Sequence, residues 1–235
     1  MMEHNLGLLE TMYWEFGKIP LWDYHFFRLY KAAISLKIKS ELLTKDRLYS
    51  HILSVVKPSN YKETKKIRLH LVNNQGLGNI IIHVEDYKRT LAEDARLGLA
   101  TGVMKPLNAW SNFKIDQRDI YIHAQEVART NNWEDALLLN EHGNVAEGSI
   151  SNVFWREEED GPLYTVPLSE GCVDGVMRRY LMYVRPVEEK VLDLPTLDKA
   201  TEIYLTNGVR GIIPIKYFNG RNLESELTKF GINNK

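Results

Sequence analysis

The stretch "ALLLNEHGNVAEGSISNVFW", residues 136–155, constrains the fold more than any other part of the chain. "ALLL" is a continuous apolar run closed by the turn "EHGN", the pattern of a strand buried on both faces. Such a strand needs a sheet with a covering layer on each side. The paired strand after the turn breaks its own pattern: Glu147 stands beside Gly148, and Ser149, Ser151 and Asn152 follow. An acid there is either a solvent-facing turn residue or one turned to a ligand that also needs close backbone approach.

The rest of the chain supplies partners for that strand. Leu8–Trp14 is apolar and aromatic enough for a strand, and "FGKIP" turns at Gly17. "WDYHFFRLYKAAISLKI" has helical spacing, with Phe26, Leu29, Tyr30 and Ala33 on one face and Asp23 as N-cap. A second helix covers Lys45 to Val56. "KIRLHLV" and "NIIIHVEDY" are strands joined through "NNQGLG", a hairpin signal. Residues 1–87 therefore form a small α+β domain, 88–95 a charged linker, and 96–235 a larger domain. In the larger part, "DIYIHAQEVART" is a helix with Ile120, Ala124, Val127 and Ala128 on one face. "LYTVPL" is a strand. "VDGVMRRYLMYV" begins a helix with Val173, Met177, Tyr180, Leu181 and Val184 inward, and "EIYLTNGVRGIIPI" reads strand, glycine turn, strand.

Composition excludes several classes. A net charge of −1 carries no overall footprint for nucleic acid. No apolar run approaches the roughly 20 residues of a membrane span. The first residues lack the basic-then-apolar pattern of a secretory signal. The single cysteine, Cys172, forms no internal disulfide and fits a reducing, cytoplasmic setting.

Four features carry chemistry. Glu147 with its "GSISN" turn is the first. "GCVDGVMRR" places Gly175 before a helix start, where free N–H groups and partial positive charge suit a phosphate. "LTNGVRG", with Gly208 and Gly211, offers turn amides that could nest an anion. Arg28, on the first helix beside His25, could hold a phosphate through two N–H groups. Read singly, each is an ordinary turn, junction or surface residue. Together they suggest a phosphorylated cofactor.

The residues that carry these features resemble a known family. "ETMYWEFGKIPLWDYHFFRL", the run from Lys114 to "EDALLLNEHGNVAEGSISNVF", "GVMR" and "TNGVRG" are similar, in that order, to the blocks of the fold-type IV pyridoxal-phosphate enzymes, the class IV aminotransferases. The resemblance implies their α+β two-domain fold, with a small N-terminal α/β domain and a larger C-terminal β-rich domain with surrounding helices. It implies pyridoxal 5'-phosphate as cofactor and a homodimer with the site near the domain boundary. It assigns Arg28 to the phosphate, Lys114 to the Schiff base and to general-base work, and Glu147 to the pyridine nitrogen. Val176 and Met177 give backbone amides to the phosphate, and Asn207 and Gly208 form its second loop. Ser151 and Asn152, with Ser149, orient Glu147 or the cofactor. Lys105, in "MKPLN", also resembles the lysine motif. It lies 42 residues before Glu147, however, whereas Lys114 lies at the family's separation of 33.

The resemblance leaves two reactions open. One is a lyase that frees pyruvate from 4-amino-4-deoxychorismate and leaves 4-aminobenzoate. The other is a branched-chain or D-amino acid aminotransferase. "KIDQR" is nearer the lyase form "K-x-x-N-R", with Arg118 in the matching place, and so favours the lyase. Gln75, in "VNNQG", stands where many members carry an arginine for the substrate carboxylate. Arg118, Arg210 or Lys105 are the cations left to compensate. A protein that only stores the cofactor needs no electron sink, so Lys114 with Glu147 speaks for an enzyme.

Overall fold

A computed structural model describes residues 6–57, 62–90, 93–228 and 230. The order of elements is β1 (Leu8–Trp14), α1 (Trp22–Ser35), α2 (Lys45–Val56), β2 (Lys65–Asn74), β3 (Leu77–Asp86), β4 (Arg96–Leu99), α3 (Asp119–Thr130), β5 (Asp135–Leu139), β6 (Val145–Gly148), β7 (Asn152–Arg156), β8 (Leu163–Thr165), α4 (Val176–Val184), β9 (Val187–Glu189), α5 (Leu194–Lys199), β10 (Glu202–Asn207), β11 (Gly211–Pro214), β12 (Tyr217–Phe218) and β13 (Arg221–Asn222). The chain divides into two compact units. The first is Met1–Arg89 with Phe113–Gln117, and the second is Thr90–Asn112 with Arg118–Lys235. The segment 113–117, which carries Lys114, thus packs with the N-terminal unit.

The first unit is an antiparallel sheet β1-β2-β3 with α1 and α2 packed on it. The β2–β3 hairpin turns on Gln75 and Gly76, both at positive φ, as a two-residue turn between twisted strands requires. α1 differs from its expected form in two ways. Leu21, in the left-handed region, is its N-cap, and Asp23 lies in the first turn, where it pairs with Lys45 at 2.7 Å. The buried stripe is His25, Leu29, Ala32 and Ala33, while Tyr30 is exposed. Leu29 and Ala33 keep their inward places and Phe26 packs at the edge of the core, while His25 and Ala32 join them instead of Tyr30.

The second unit holds two five-stranded sheets, β11-β10-β7-β8-β9 and β13-β12-β4-β5-β6. Their facing sides bury Leu97, Leu137, Val145, Val153, Trp155, Ile203 and Leu205 in one core. α3 covers the outer face of the second sheet through Tyr121, Ala124 and Ala128. α4 covers the outer face of the first through Leu181 and Met177, against Phe154 and Tyr204. α4 starts at Val176 rather than Val173, and Val184 is exposed. β5 is buried on both faces up to Leu138, as its apolar run requires. Among the described residues no helix is long and apolar enough to cross a membrane.

The chain passes from one sheet to the other at residues 149–151, between β6 and β7. Gly148 ends β6 at this corner. A Cβ there would overlap Ser151 Oγ and Asp135 Oδ2. Its smallness serves this corner, which is the physical reason for a glycine beside the acid.

β4 makes a similar demand. A Cβ on Gly98 would fall within the Trp133 ring, and Trp133 packs beside α3. Gly98→Ala is expected to lower stability by about 1–3 kcal/mol, the usual cost of overpacking a filled site. Thermal unfolding of the two proteins measures it, and an unchanged midpoint would refute this packing.

Candidate active site

β6 is short and ends at the corner, and that fixes where its acid points. Glu147 pairs across the ladder with Leu138, and Leu138 faces α3. Residues directly opposite in a ladder share a face, so Glu147 points toward α3, where Tyr121 meets it. The Tyr121 hydroxyl donates to Glu147 Oε1 at 2.9 Å. Lys105, whose backbone bridges to Asn140 beside β5, donates from Nζ to the Tyr121 oxygen at 2.7 Å and to the same Glu147 Oε1. Val173 N–H donates to Oε2 at 2.9 Å. Glu147 and Lys105 are 3% and 2% exposed, so this is a buried, closed triangle of acid, ammonium and phenol.

The surroundings hold the triangle in place. The Arg118 guanidinium lies 4.0 Å from the Tyr121 ring centre and donates to Ser149 O at 3.1 Å. Its burial lowers its proton affinity. Burial and then the Glu147 charge push the Tyr121 phenol far above its ordinary range, so it stays a donor. Asn112 Nδ2 donates to Leu168 O and Cys172 O, each at 2.8 Å, and steadies the loop that carries Val173. The Cys172 thiol is buried and pushed up to about 12, chiefly by that burial, so it is a neutral packing group here.

The serines after the acid serve a different one. Ser149 Oγ and Ser151 Oγ donate to Asp135 at 2.5 and 2.6 Å, joined by the N–H groups of Ser149 and Ala136. Ser151, expected at the cofactor or Glu147, is turned to Asp135 instead. Asn152 Nδ2 donates to Val173 O at 2.9 Å, and so reaches Glu147 only through the Val173 peptide.

The same end of the β7–β10 pair offers an anion site. Gly175 is the N-cap of α4 and no side chain caps that end, so the N–H groups of Val176 and Met177 begin the helix. A Cβ on Gly175 would overlap Asn152 Oδ1. Asn152 pairs with Thr206, two residues from the Phe154–Tyr204 pair that faces α4, so period-two alternation turns Thr206 to the α4 side as well. Thr206 is fully buried, and its hydroxyl has no hydrogen-bond partner among the described residues. An uncapped helix start beside an orphaned buried hydroxyl suits a phosphate. Beyond Thr206, Asn207 Oδ1 accepts from Val209 N at 3.0 Å and Arg210 N at 2.8 Å, which shapes the turn at Gly208. Arg210 itself pairs with Glu134.

Arg28 and Lys114 belong to the first unit. Arg28 Nε and Nη2 donate to the two oxygens of Glu10, each at 2.7 Å, and His25 Nδ1 meets Glu10 Oε2 at 2.7 Å. Glu10 and His25 are almost fully buried. Burial alone would raise the Glu10 carboxyl, and Arg28 with the His25 hydrogen bond brings it down to about 2. Burial lowers His25, and the charges of Arg28 and Lys114 add to that. Lys114 is half-buried and accepts from Leu9 N at 2.8 Å through its carbonyl. Gln75 is exposed at the hairpin tip.

Sequence reasoning missed Tyr121 and Asp135. Tyr121 lies one residue from Ile120 in a helix whose apolar spacing already explained it. Asp135 stands just before the apolar run, where an acid looks like a strand-end residue.

A family model described as amino-transferase class IV matches residues 7–218. A probable branched-chain-amino-acid aminotransferase of Thermotoga maritima is 36% identical over 97 residues, 39% of this chain and 35% of that protein. An aminodeoxychorismate lyase of Saccharomyces cerevisiae is 34% identical over 127 residues, 46% of this chain and 34% of that protein. The matches thus span about a third of the length of these curated relatives. The structure of an aminotransferase from Brucella abortus bound to the co-factor PLP has a TM-score of 0.82, covering 96% of this chain and 85% of that one, at 18% identity, a likeness of fold alone.

The Glu10 cluster sets a pH dependence with a definite sign. The folded chain keeps Glu10 ionised and His25 neutral where an unfolded chain would protonate both. The unfolded state then binds more protons, and stability falls as pH falls. The denaturation midpoint of the first unit is expected to drop as pH descends through the ordinary imidazole range and again through the ordinary carboxylate range toward about 2. His25→Gln should remove the upper step and keep the lower one. A midpoint indifferent to pH across both ranges would contradict the assignment.

Proposed function

The chain belongs to the class IV amino-transferase family, whose members are pyridoxal-phosphate enzymes, and on that premise we propose that it acts on an amino substrate as an aminodeoxychorismate lyase. In this reading it frees pyruvate from 4-amino-4-deoxychorismate and leaves 4-aminobenzoate. The observation that carries the cofactor part is the accounting at Glu147. An ionised carboxylate offers about four acceptor positions. Lys105 and Tyr121 take the two on Oε1, and Val173 takes one on Oε2. One position on Oε2 is left for a further N–H. The ring nitrogen of the cofactor is a donor of that kind once protonated. The uncapped start of α4 and the Thr206 hydroxyl would take the phosphate, with the turn at Asn207 and Gly208, and the family resemblance assigns Arg28 to the same group.

When bound, the cofactor supplies an electron sink for the carbon that bears the amine. The residues do the rest. Glu147 favours the protonated ring nitrogen, because an opposite charge favours a charged form. Lys114 would be the lysine that holds the cofactor at its aldehyde carbon and would serve as the base for the proton on the amine-bearing carbon. Lys105 is unsuited to that role. Aldehyde and ring nitrogen stand para to each other on the cofactor, so a lysine in contact with the acid at the nitrogen is on the wrong side of the ring.

The lyase reading draws on Arg118, which occupies the arginine place of "K-x-x-N-R" and is fastened at Ser149 O beside the acid. The aminotransferase reading draws on the Thermotoga maritima relative at 36% identity.

Two experiments test these readings. Borohydride reduction of the cofactor-loaded chain, followed by peptide mass mapping, should place the label on Lys114, and Lys114→Ala should take up none. A label on Lys105 would overturn the assignment. Paired assays then offer aminodeoxychorismate alone, or L- and D-amino acids with a 2-oxo acid. 4-Aminobenzoate is expected in the first. Turnover confined to the second replaces the lyase by an aminotransferase.

A further inference from the structure

We propose that Lys105 sets the proton affinity of the cofactor's ring nitrogen by partly neutralising Glu147, the acid that faces it. The inference rests on the reading that Glu147 meets that nitrogen.

The geometry leaves Lys105 little else to do. Lys105 is 2% exposed, and the partners of its ammonium are Glu147 Oε1 and the Tyr121 hydroxyl. Tyr121 returns its own proton to the same Oε1. Acid, ammonium and phenol therefore close on themselves, with the ammonium on one oxygen of the carboxylate and the free acceptor position on the other. Burying an ammonium is costly and is offset only by close partners of opposite charge or by acceptors, so this pairing is a built feature of the site.

The other ionisable groups around Glu147 do not take over this role. Tyr121 remains a neutral phenol, and Cys172 remains a neutral thiol. Asp135 is enclosed by Ser149, Ser151 and the N–H groups of Ala136 and Ser149. Arg118 is a second cation on this side, but its Nη2 goes to Ser149 O and its face to the Tyr121 ring. Asp174 is engaged by Arg179. Arg178, whose charge also reaches Cys172, pairs with Glu189.

The charge count then has a chemical consequence. A lone buried carboxylate would hold a proton on the ring nitrogen strongly. Glu147 with Lys105 on Oε1 is close to neutral as a pair, so the same proton adds an unbalanced positive charge beside an ammonium. A neighbouring like charge disfavours the charged form and so lowers the affinity for that proton. Lys105 thereby makes the nitrogen a weaker proton acceptor and the cofactor a more moderate electron sink. No covalent step passes through Lys105, which is a positioning and tuning residue.

The test follows the ring nitrogen itself. Cofactor with an isotope-labelled ring nitrogen is bound to the unchanged chain and to Lys105→Met, Lys105→Gln, Lys105→Arg and Glu147→Gln. Nitrogen NMR across pH reads the protonation midpoint without any turnover. Lys105→Met should raise the midpoint by about one unit or more, and Lys105→Arg should keep it. Lys105→Gln retains an N–H donor without the charge and should follow Met, which serves if the methionine variant does not fold. Glu147→Gln should lower the midpoint. If Glu147→Gln shifts the signal and neither neutral Lys105 variant does, the tuning role is overturned while the placement of the cofactor stands. If Glu147→Gln has no effect either, the acid does not face the nitrogen and the underlying reading fails as well.

Discussion

A carboxylate inside a protein is stable only when its acceptor positions are filled, and Glu147 is filled at about three of four. Much of the second unit can be read as the means of filling them. β5 must be buried on both faces so that Leu138 and Glu147 share the side toward α3. α3 must pack through alanines at Ala124 and Ala128, so that it lies close enough for Tyr121 to reach the acid. The loop before α4 must hold Val173 N–H against Oε2, and Asn112 and Asn152 fasten that loop from two sides. A shift of one residue in β6 would turn Glu147 into the core between the sheets, where no donor waits.

The fold was largely legible because it depends on local periodicity. The β2–β3 hairpin followed from two alternating runs around a turn containing Gly76, and β5 from an unbroken apolar run. α1 and α3 followed from apolar spacing. The errors fall where a non-local contact outweighs a local preference. Asp23 has the chemistry of an N-cap, yet α1 begins two residues earlier and Asp23 turns to Lys45. Tyr30 has the spacing of a core residue, yet it is exposed, while His25 is buried against Glu10.

The candidate site divides in the same way. Glu147 could be singled out because an acid in an apolar strand demands a reason. The start of α4 could be singled out because glycine precedes a helix with no capping side chain. The partners of Glu147 could not. Tyr121 looks like ordinary helix core, and the meeting of Lys105 with Glu147 spans 42 residues and rests on β5 running between them. Ser149 and Ser151 misled for a physical reason. Small hydroxyls after a glycine suit ligand contact and an internal acid equally, and Asp135 is invisible as that acid until β5 and the corner are superposed.

Asp135 and Glu147 are a natural comparison, because both are buried acids on the paired strands β5 and β6, close to the Gly148 corner. Asp135 receives Ser149 N–H, Ser149 Oγ, Ser151 Oγ and Ala136 N–H at 2.5 to 2.9 Å. Its acceptor positions are used up in holding the corner, and burial still raises its proton affinity. Glu147 is held by fewer donors, and one of them is a cation. An acid closed by hydroxyls and amides is a structural tie. An acid balanced by an ammonium and left one position short is available to a ligand. Burial is nearly the same for both, at 2% and 3% exposure, so burial does not separate the two roles. The count of donors does, and it rests on the crossing at residues 149–151 that gives both serines to Asp135.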